Sequence, residues 1–113
     1  MKTARVGLIA GIIILWSAHF ALAQQGDAKA GKETFAKSCA TCHGADGNSP
    51  KEAIAKMLKA EIPQLGSKDI QAKSDDEIKK AITDGFQKMK PVKGLTDKDV
   101  RNVIAFVRTL KQS

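Results

Sequence analysis

The segment that most constrains this chain is CATCH, residues 39–43, which brings two thiols and one imidazole into five positions. Cys39 and Cys42 are the only cysteines of the chain, and His43 is the only histidine after the first twenty residues. Residues three apart lie on the same side of a helical turn, so both sulfur atoms would lie close together. The ring of His43 can reach the same bound group. The fold therefore has to be built around the group that these three side chains bind.

The first 23 residues have the three parts of a secretory signal peptide. Basic residues come first, an apolar run follows at residues 6–16, and small residues lead to Ala23. A retained membrane anchor is the alternative, but the apolar segment is interrupted by polar residues and is marginal for a span of ~20 residues. We therefore expect cleavage after Ala23, export to the periplasm, one domain at residues 24–113, and no stable membrane insertion of the mature chain.

The predicted mature domain has few side chains with which to fill a core. It contains no Trp and no Tyr, and its aromatic residues are Phe35, Phe86 and Phe106. Small domains gain little from hydrophobic burial alone, and small exported ones usually need a metal or a covalent link. The composition therefore predicts that a bulky apolar group other than a side chain occupies the centre.

The hydrophobic pattern is helical along the whole domain, with no stretch that alternates as a strand does. Asp27 is a candidate N-cap of a first helix, and a second amphipathic helix carries Ile54, Met57 and Leu58. Residues 61–73 are predicted to form a loop. A third helix is predicted from the capping box of Ser74 and Glu77 to Gly85.

The last predicted helix has the strongest pattern. Thr96 is its candidate N-cap, and an apolar stripe follows at helical spacing: Val100, Val103, Ile104, Val107 and Leu110. The segment before it, residues 86–94, contains proline and glycine and is predicted to be an irregular loop. The sequence thus predicts an all-α domain.

The C-x-x-C-H spacing predicts covalent attachment of one c-type haem. The thiols of Cys39 and Cys42 would add to the two vinyl groups, and His43 would reach the iron. A thioredoxin-like redox motif fits less well because it needs a βαβ context, and a structural zinc site needs four ligands, typically in two pairs. A simple disulfide would leave His43 without a role.

Over residues 27–111 the sequence resembles the small bacterial class I cytochromes c. The resemblance is carried by the first helix with Gly31 and Phe35, by CATCHG, by the helix that stops at Gly85, by a methionine loop, and by the last helix with Phe106. It implies an all-α fold with about four helices around one covalently bound haem. It also implies that the N- and C-terminal helices cross at Gly31, with the two phenylalanines packed at the crossing.

The resemblance also implies a second axial ligand. The predicted mature chain has two methionines, and Met57 is interpreted as core filler because it shares a face with apolar neighbours. Met89 lies in a loop between two lysines, where this family places its methionine ligand, and is predicted to bind the iron opposite His43. The family commonly has proline directly after this methionine, whereas here Lys90 precedes Pro91.

The ring nitrogen of His43 that does not bind iron is expected to donate a hydrogen bond to a carbonyl, which would fix the orientation of the ring. Class I cytochromes c often use a proline carbonyl in the loop after the motif. Pro50 is the candidate acceptor, and Pro63 is the alternative.

Axial ligation by histidine and methionine leaves no open position on the iron, which predicts a one-electron carrier and not an enzyme. Two alternatives stay open. The first is an open-haem enzyme or sensor, such as a peroxidase-like protein, in which Met89 does not bind. The second is an electron-entry subunit of a larger redox complex.

The formal net charge of +7 favours acidic redox partners. The lysines expected near the haem edge precede the motif or surround the methionine: Lys37, Lys88, Lys90 and Lys93. Lysines that only keep the protein soluble are the alternative interpretation. Nucleic-acid binding is not expected, because the lysines are evenly spread and arginine is scarce.

Overall fold

The computed structural model describes residues 26–113, so the predicted signal peptide at residues 1–23 lies outside the described part. The described residues form six helices: α1 Ala28–Ser38, α2 Ala40–His43, α3 Glu52–Leu58, α4 Lys68–Gln71, α5 Asp75–Asp84 and α6 Asp97–Thr109. Within this range there is no strand, only an isolated bridge between Phe86 and Met89. The predicted all-α fold is confirmed. The loop prediction for residues 61–73 is wrong at α4, a single turn too short to leave a periodic pattern.

The starts of α1, α5 and α6 are fixed by side chains that the sequence predicts as caps. The carboxylate of Asp27 accepts hydrogen bonds from two backbone N–H groups in the first turn of α1. Ser74 and Glu77 form the predicted capping box of α5. Thr96 caps α6 in the same way, with Asp99 as its partner. Each capping box pairs two N–H groups that would otherwise have no partner at the end of the helix.

The first and last helices pack closely against each other, as predicted. Gly31 of α1 is buried against the backbone carbonyl of Asn102 in α6, and a Cβ atom at Gly31 would overlap that carbonyl. The Phe35 and Phe106 rings pack edge to face, with their centroids 5.1 Å apart. The buried Asn102 Oδ1 accepts a hydrogen bond of 2.8 Å from the Asp27 N–H. The α1–α6 pair is therefore held by both apolar and polar contacts.

The buried core is formed by α1, α5 and α6. Its members are Phe35, Ile78, Ile82, Val100, Val103, Ile104, Phe106 and Val107. Partly buried apolar residues from the connecting segments pack against this cluster: Cys39, Leu65, Met89, Val92, Leu95 and Leu110. The predicted stripe of α6 is thus confirmed, with its last member, Leu110, only partly buried.

Helix α3 differs from the other long helices because none of its residues is buried. Ile54 and Leu58 are half-buried, and Met57 is 70% exposed. The interpretation of Met57 as core filler is wrong for this structure, because spacing places residues on one face of a helix but does not determine what covers that face. Between residues 26 and 113, no helix combines the length and hydropathy needed to span a bilayer.

Side-chain amides connect the middle of the chain to the C-terminal helix. Asn48 donates to the carbonyl of Leu110 at 3.2 Å and accepts from the N–H of Gly66 at 2.7 Å. The Gln71 amide donates to the carbonyl of Val107 at 2.9 Å. These bonds hold the segments that precede α4 and α5 close to the end of α6.

Candidate functional site

The CATCH segment begins where α1 ends. Cys39 is the last residue bonded to α1, since its N–H donates to the carbonyl of Phe35 at 2.8 Å. Its own carbonyl accepts from the N–H groups of Cys42 at 3.2 Å and His43 at 3.1 Å. No disulfide links the two cysteines, and both are half-buried. The two cysteines and the histidine therefore lie on one turn of helix that continues from α1.

The surroundings of this turn favour neutral side chains. Burial, with a smaller contribution from the charge of Cys42, raises the pKa of the Cys39 thiol to about 11. Burial also lowers the pKa of His43. The imidazole is therefore held in its neutral form near neutral pH, and this is the form that binds a metal ion.

The ring of His43 lies beside the core, with its centroid 6.4 Å from that of Phe35. Its Nδ1 atom is buried and has no hydrogen-bond partner among the described residues. The predicted acceptor, the carbonyl of Pro50 or of the alternative Pro63, does not fill this role here. The intervening turn instead closes on the motif, because the N–H of Lys51 donates to the carbonyl of Cys42 at 2.9 Å.

Met89 lies in a tight turn that follows α5. Phe86 and Met89 exchange two backbone hydrogen bonds, with N–H to O distances of 2.9 and 2.8 Å. Gln87, inside the turn, has a φ of 51°. Met89 is partly buried against the core, whereas Lys90 is exposed. The lysine that separates Met89 from Pro91 in this sequence thus points away from the core.

Cys39 and Met89 are far apart in the sequence, but both pack against the same buried cluster. The structure thus brings the motif and the predicted methionine to one core, while Met57 is exposed on α3. Phe35 connects the two parts of the site, since its ring lies beside His43 and also within the core.

Two residues of this region have features that the sequence reasoning missed. Gly85, interpreted only as the stop of α5, lies against the carbonyl of Met89. Phe86 is 56% exposed, and the Nζ atom of Lys73 lies 5.8 Å from its ring centroid. In the sequence, only the positions of Gly85 and Phe86 shortly before Met89 could have indicated a role for these residues.

The donor set fits a haem better than a bare metal ion. Within residues 26–113, no group of three or more His, Cys, Asp or Glu side chains is placed to hold a metal ion. Two free thiols on one turn, a neutral imidazole and a partly buried thioether are instead the groups that attach and ligate a c-type haem.

Comparison with known proteins agrees with this donor set. Residues 26–107 match the family model for subunit III of cbb3-type cytochrome c oxidase. The chain belongs to this family of c-type cytochromes. A solved structure, the c-type cytochrome KustC0563, is 32% identical in sequence, with a TM-score of 0.61, over 73% of this chain and 98% of that one. Among curated proteins, none matches the chain.

Membership of this family establishes the cofactor and the general role. This small class I monohaem cytochrome c carries a covalently bound haem c with its iron, and its domain supports haem-based electron transfer. Cytochromes c of this type are generally electron carriers and are typically exported.

Proposed function

We propose that this cytochrome c is a periplasmic one-electron carrier that shuttles electrons between redox partner proteins. In this proposal, cleavage after Ala23 releases a domain at residues 24–113. Thioether bonds from Cys39 and Cys42 hold the haem, and His43 and Met89 are its axial ligands. The bound haem supplies an iron that changes between the ferric and ferrous states, so it takes up or releases one electron.

The observation that carries the proposal is the packing of Cys39 and Met89 against one buried cluster. A thiol from the end of α1 and a thioether from the loop after α5 thereby border the same apolar region. His43 adds a neutral imidazole beside Phe35. A methionine ligand raises the reduction potential and fills the position at which oxygen or peroxide would bind, which supports a carrier over an open-haem enzyme.

The partners in this proposal are redox proteins with acidic docking surfaces. The lysines on both sides of the site are exposed: Lys37, Lys88, Lys90 and Lys93. Exposed lysines beside a docking site speed association with an acidic partner, and added salt weakens this effect. We therefore expect the rate of electron transfer to an acidic partner to fall as ionic strength rises.

The proposal is tested by absorbance spectra of the exported protein, oxidised and reduced, with carbon monoxide added to the reduced form. We expect a low-spin spectrum with the weak far-red band of a sulfur-ligated ferric haem, and no change on adding carbon monoxide. Met89→Ala should abolish the band and allow carbon monoxide to bind. Met57→Ala is the matched control, because it removes the exposed methionine, and its spectrum should equal that of the wild type.

The opposite results point to other functions. A high-spin spectrum, or rapid binding of carbon monoxide to the wild type, would indicate an open iron and favour the enzyme or sensor. Haem that is released by acidified organic solvent would contradict attachment through Cys39 and Cys42.

A second candidate function is that of an electron-entry subunit in a larger redox complex. It is favoured by the description of the matched family, which names a subunit of a cbb3-type oxidase. Native gels of the soluble exported fraction and of detergent-solubilised membranes, stained for haem, separate the two. A carrier migrates alone in the soluble fraction, whereas a subunit migrates with a large membrane complex.

A further inference from the structure

The methionine turn is tied to the protein on both sides of Met89. On the N-terminal side, the two backbone hydrogen bonds with Phe86 close the turn. On the C-terminal side, the N–H of Val92 donates to the carbonyl of Ile82 in α5 at 2.8 Å. The chain therefore leaves α5 and returns to it within a few residues, so the Met89 backbone has little freedom to move.

Gly85 lies at the base of this turn and contacts both of its arms. A Cβ atom at Gly85 would lie 2.8 Å from the carbonyl oxygen of Met89 and 2.9 Å from Cδ of Pro91. Such distances are shorter than Cβ atoms adopt, and the first contact is with backbone, which cannot move without moving Met89. Gly85 also has a φ of 85°, which glycine adopts at no steric cost.

The same contact explains how the turn accommodates the residue between Met89 and Pro91. Pro91 packs on Gly85 although it does not follow the methionine directly. Lys90 is exposed and takes up the additional position. The Pro91 ring and the Met89 carbonyl therefore both lie against Gly85, which has no side chain.

We propose that Gly85 is a positioning residue for Met89. By leaving room for the Met89 carbonyl and the Pro91 ring, it holds the methionine backbone where the thioether can stay on the iron. This inference rests on the proposed ligation by Met89. Gly85 acts through the Met89 backbone and does not touch the haem itself.

The test compares Gly85→Ala with Gly94→Ala in the purified haem-containing protein. Gly94 has a φ of 81°, close to that of Gly85, but a Cβ atom there would meet nothing within 4 Å. Both variants therefore place an alanine at a similar positive φ, and only Gly85→Ala pushes against Met89 and Pro91.

We expect Gly85→Ala to increase the fraction of protein with Met89 off the iron about tenfold or more. The far-red band should weaken, the reduced protein should bind carbon monoxide, and the reduction potential should fall. Gly94→Ala should keep all three properties of the wild type. A double variant with Gly85→Ala and Pro91→Ala should recover part of the band, because one of the two overlaps is removed.

Three results would overturn the inference: an unchanged band in Gly85→Ala, an equal loss in both glycine variants, or no recovery in the double variant. If Gly85→Ala does not fold, the double variant is compared with Gly94→Ala instead. Failure of the proposed function looks different. In that case the wild type itself lacks the band and Met89→Ala leaves the spectrum unchanged.

Discussion

Helix α3 and the α1–α6 pair share a type of sequence pattern but differ in what their apolar residues do. In the pair, residues at helical spacing are buried against each other, including Phe35 and Phe106. In α3, the apolar face of Ile54, Met57 and Leu58 contains no buried residue. The comparison shows that an amphipathic pattern predicts a helix, while burial depends on whether another element supplies a matching surface.

The same comparison shows where the core made of side chains ends. The buried cluster draws on α1, α5 and α6, and none of its members comes from residues 44–73. We expect the haem c of this family to provide apolar surface on that side, as the low aromatic content predicts. The α1–α6 pair would then be held by protein contacts. The half-buried Ile54 and Leu58 of α3 would pack mainly on the cofactor, with Met57 left exposed.

The largest expected difference is between an apolar substitution in the α1–α6 pair and one in α3. Phe35→Ala removes a side chain that is 1% exposed and should lower the free energy of unfolding by about 3–5 kcal/mol. Met57→Ala on α3 should change it by less than about 0.5 kcal/mol. Urea unfolding of the haem-containing variants measures both. A large cost at Met57 would mean that α3 is packed more tightly than its exposure indicates.

A smaller effect is expected where the α1–α6 pair depends on a polar contact. Asn102→Ala removes the acceptor for the Asp27 N–H and should cost about 1–3 kcal/mol of unfolding free energy. Gln112→Ala is the control, because its amide donates to Gln64 at the exposed surface. Thermal melts of the two variants compare them directly. Equal melting temperatures would show that the buried amide adds nothing to the pair.

A further, modest effect is expected at the start of α6. Thr96→Ala should lower stability by about 1 kcal/mol because it removes the side-chain half of the capping box. The backbone N–H of Thr96 and, to a smaller extent, its side chain hold the pKa of Asp99 below its ordinary value through hydrogen bonds, and Thr96→Ala removes only the side-chain contribution. The stabilisation of the folded state by the ionised Asp99 is therefore fully present above about pH 4, the ordinary pKa of Asp. It is lost as the pH falls through the lowered pKa of Asp99.

Urea unfolding of the wild type and Thr96→Ala over the acid range checks this pH dependence. The difference in stability between them should be largest near neutral pH and should shrink in acid. Asp46, whose pKa is lowered by its own hydrogen bonds with Ser49 and Asn48, lies elsewhere and contributes equally to both proteins. A difference that does not change with pH would mean that the Thr96 side chain does not contribute to the lowered pKa of Asp99.

Local chemistry made much of this fold predictable from sequence. Asp27, Ser74 and Thr96 start helices because their side chains accept hydrogen bonds from backbone within three residues. Gly85 ends α5 because its conformation is one that glycine adopts easily. The cysteines and His43 lie on one turn because the spacing within the motif requires it. Each of these features depends only on neighbours along the chain.

The features that sequence reasoning missed depend on contacts between distant residues. Asn102 was a polar residue inside an apolar stripe, and its role appears only when α1 is placed beside it. Gly85 contacts Pro91 through the path of a loop that periodicity does not describe. The exposure of Met57 likewise depends on what lies next to α3, and a single sequence does not reveal this.

The pairing of the first and last helices also sets an order of events as the chain folds. The bond between Asp27 and Asn102 spans 75 positions, and closing a loop of that length costs about 4 kcal/mol of chain entropy. In the proposed export, α1 and the CATCH segment cross the membrane before α6 does. The CATCH thiols are therefore accessible before the α1–α6 core, against which Cys39 packs, can form.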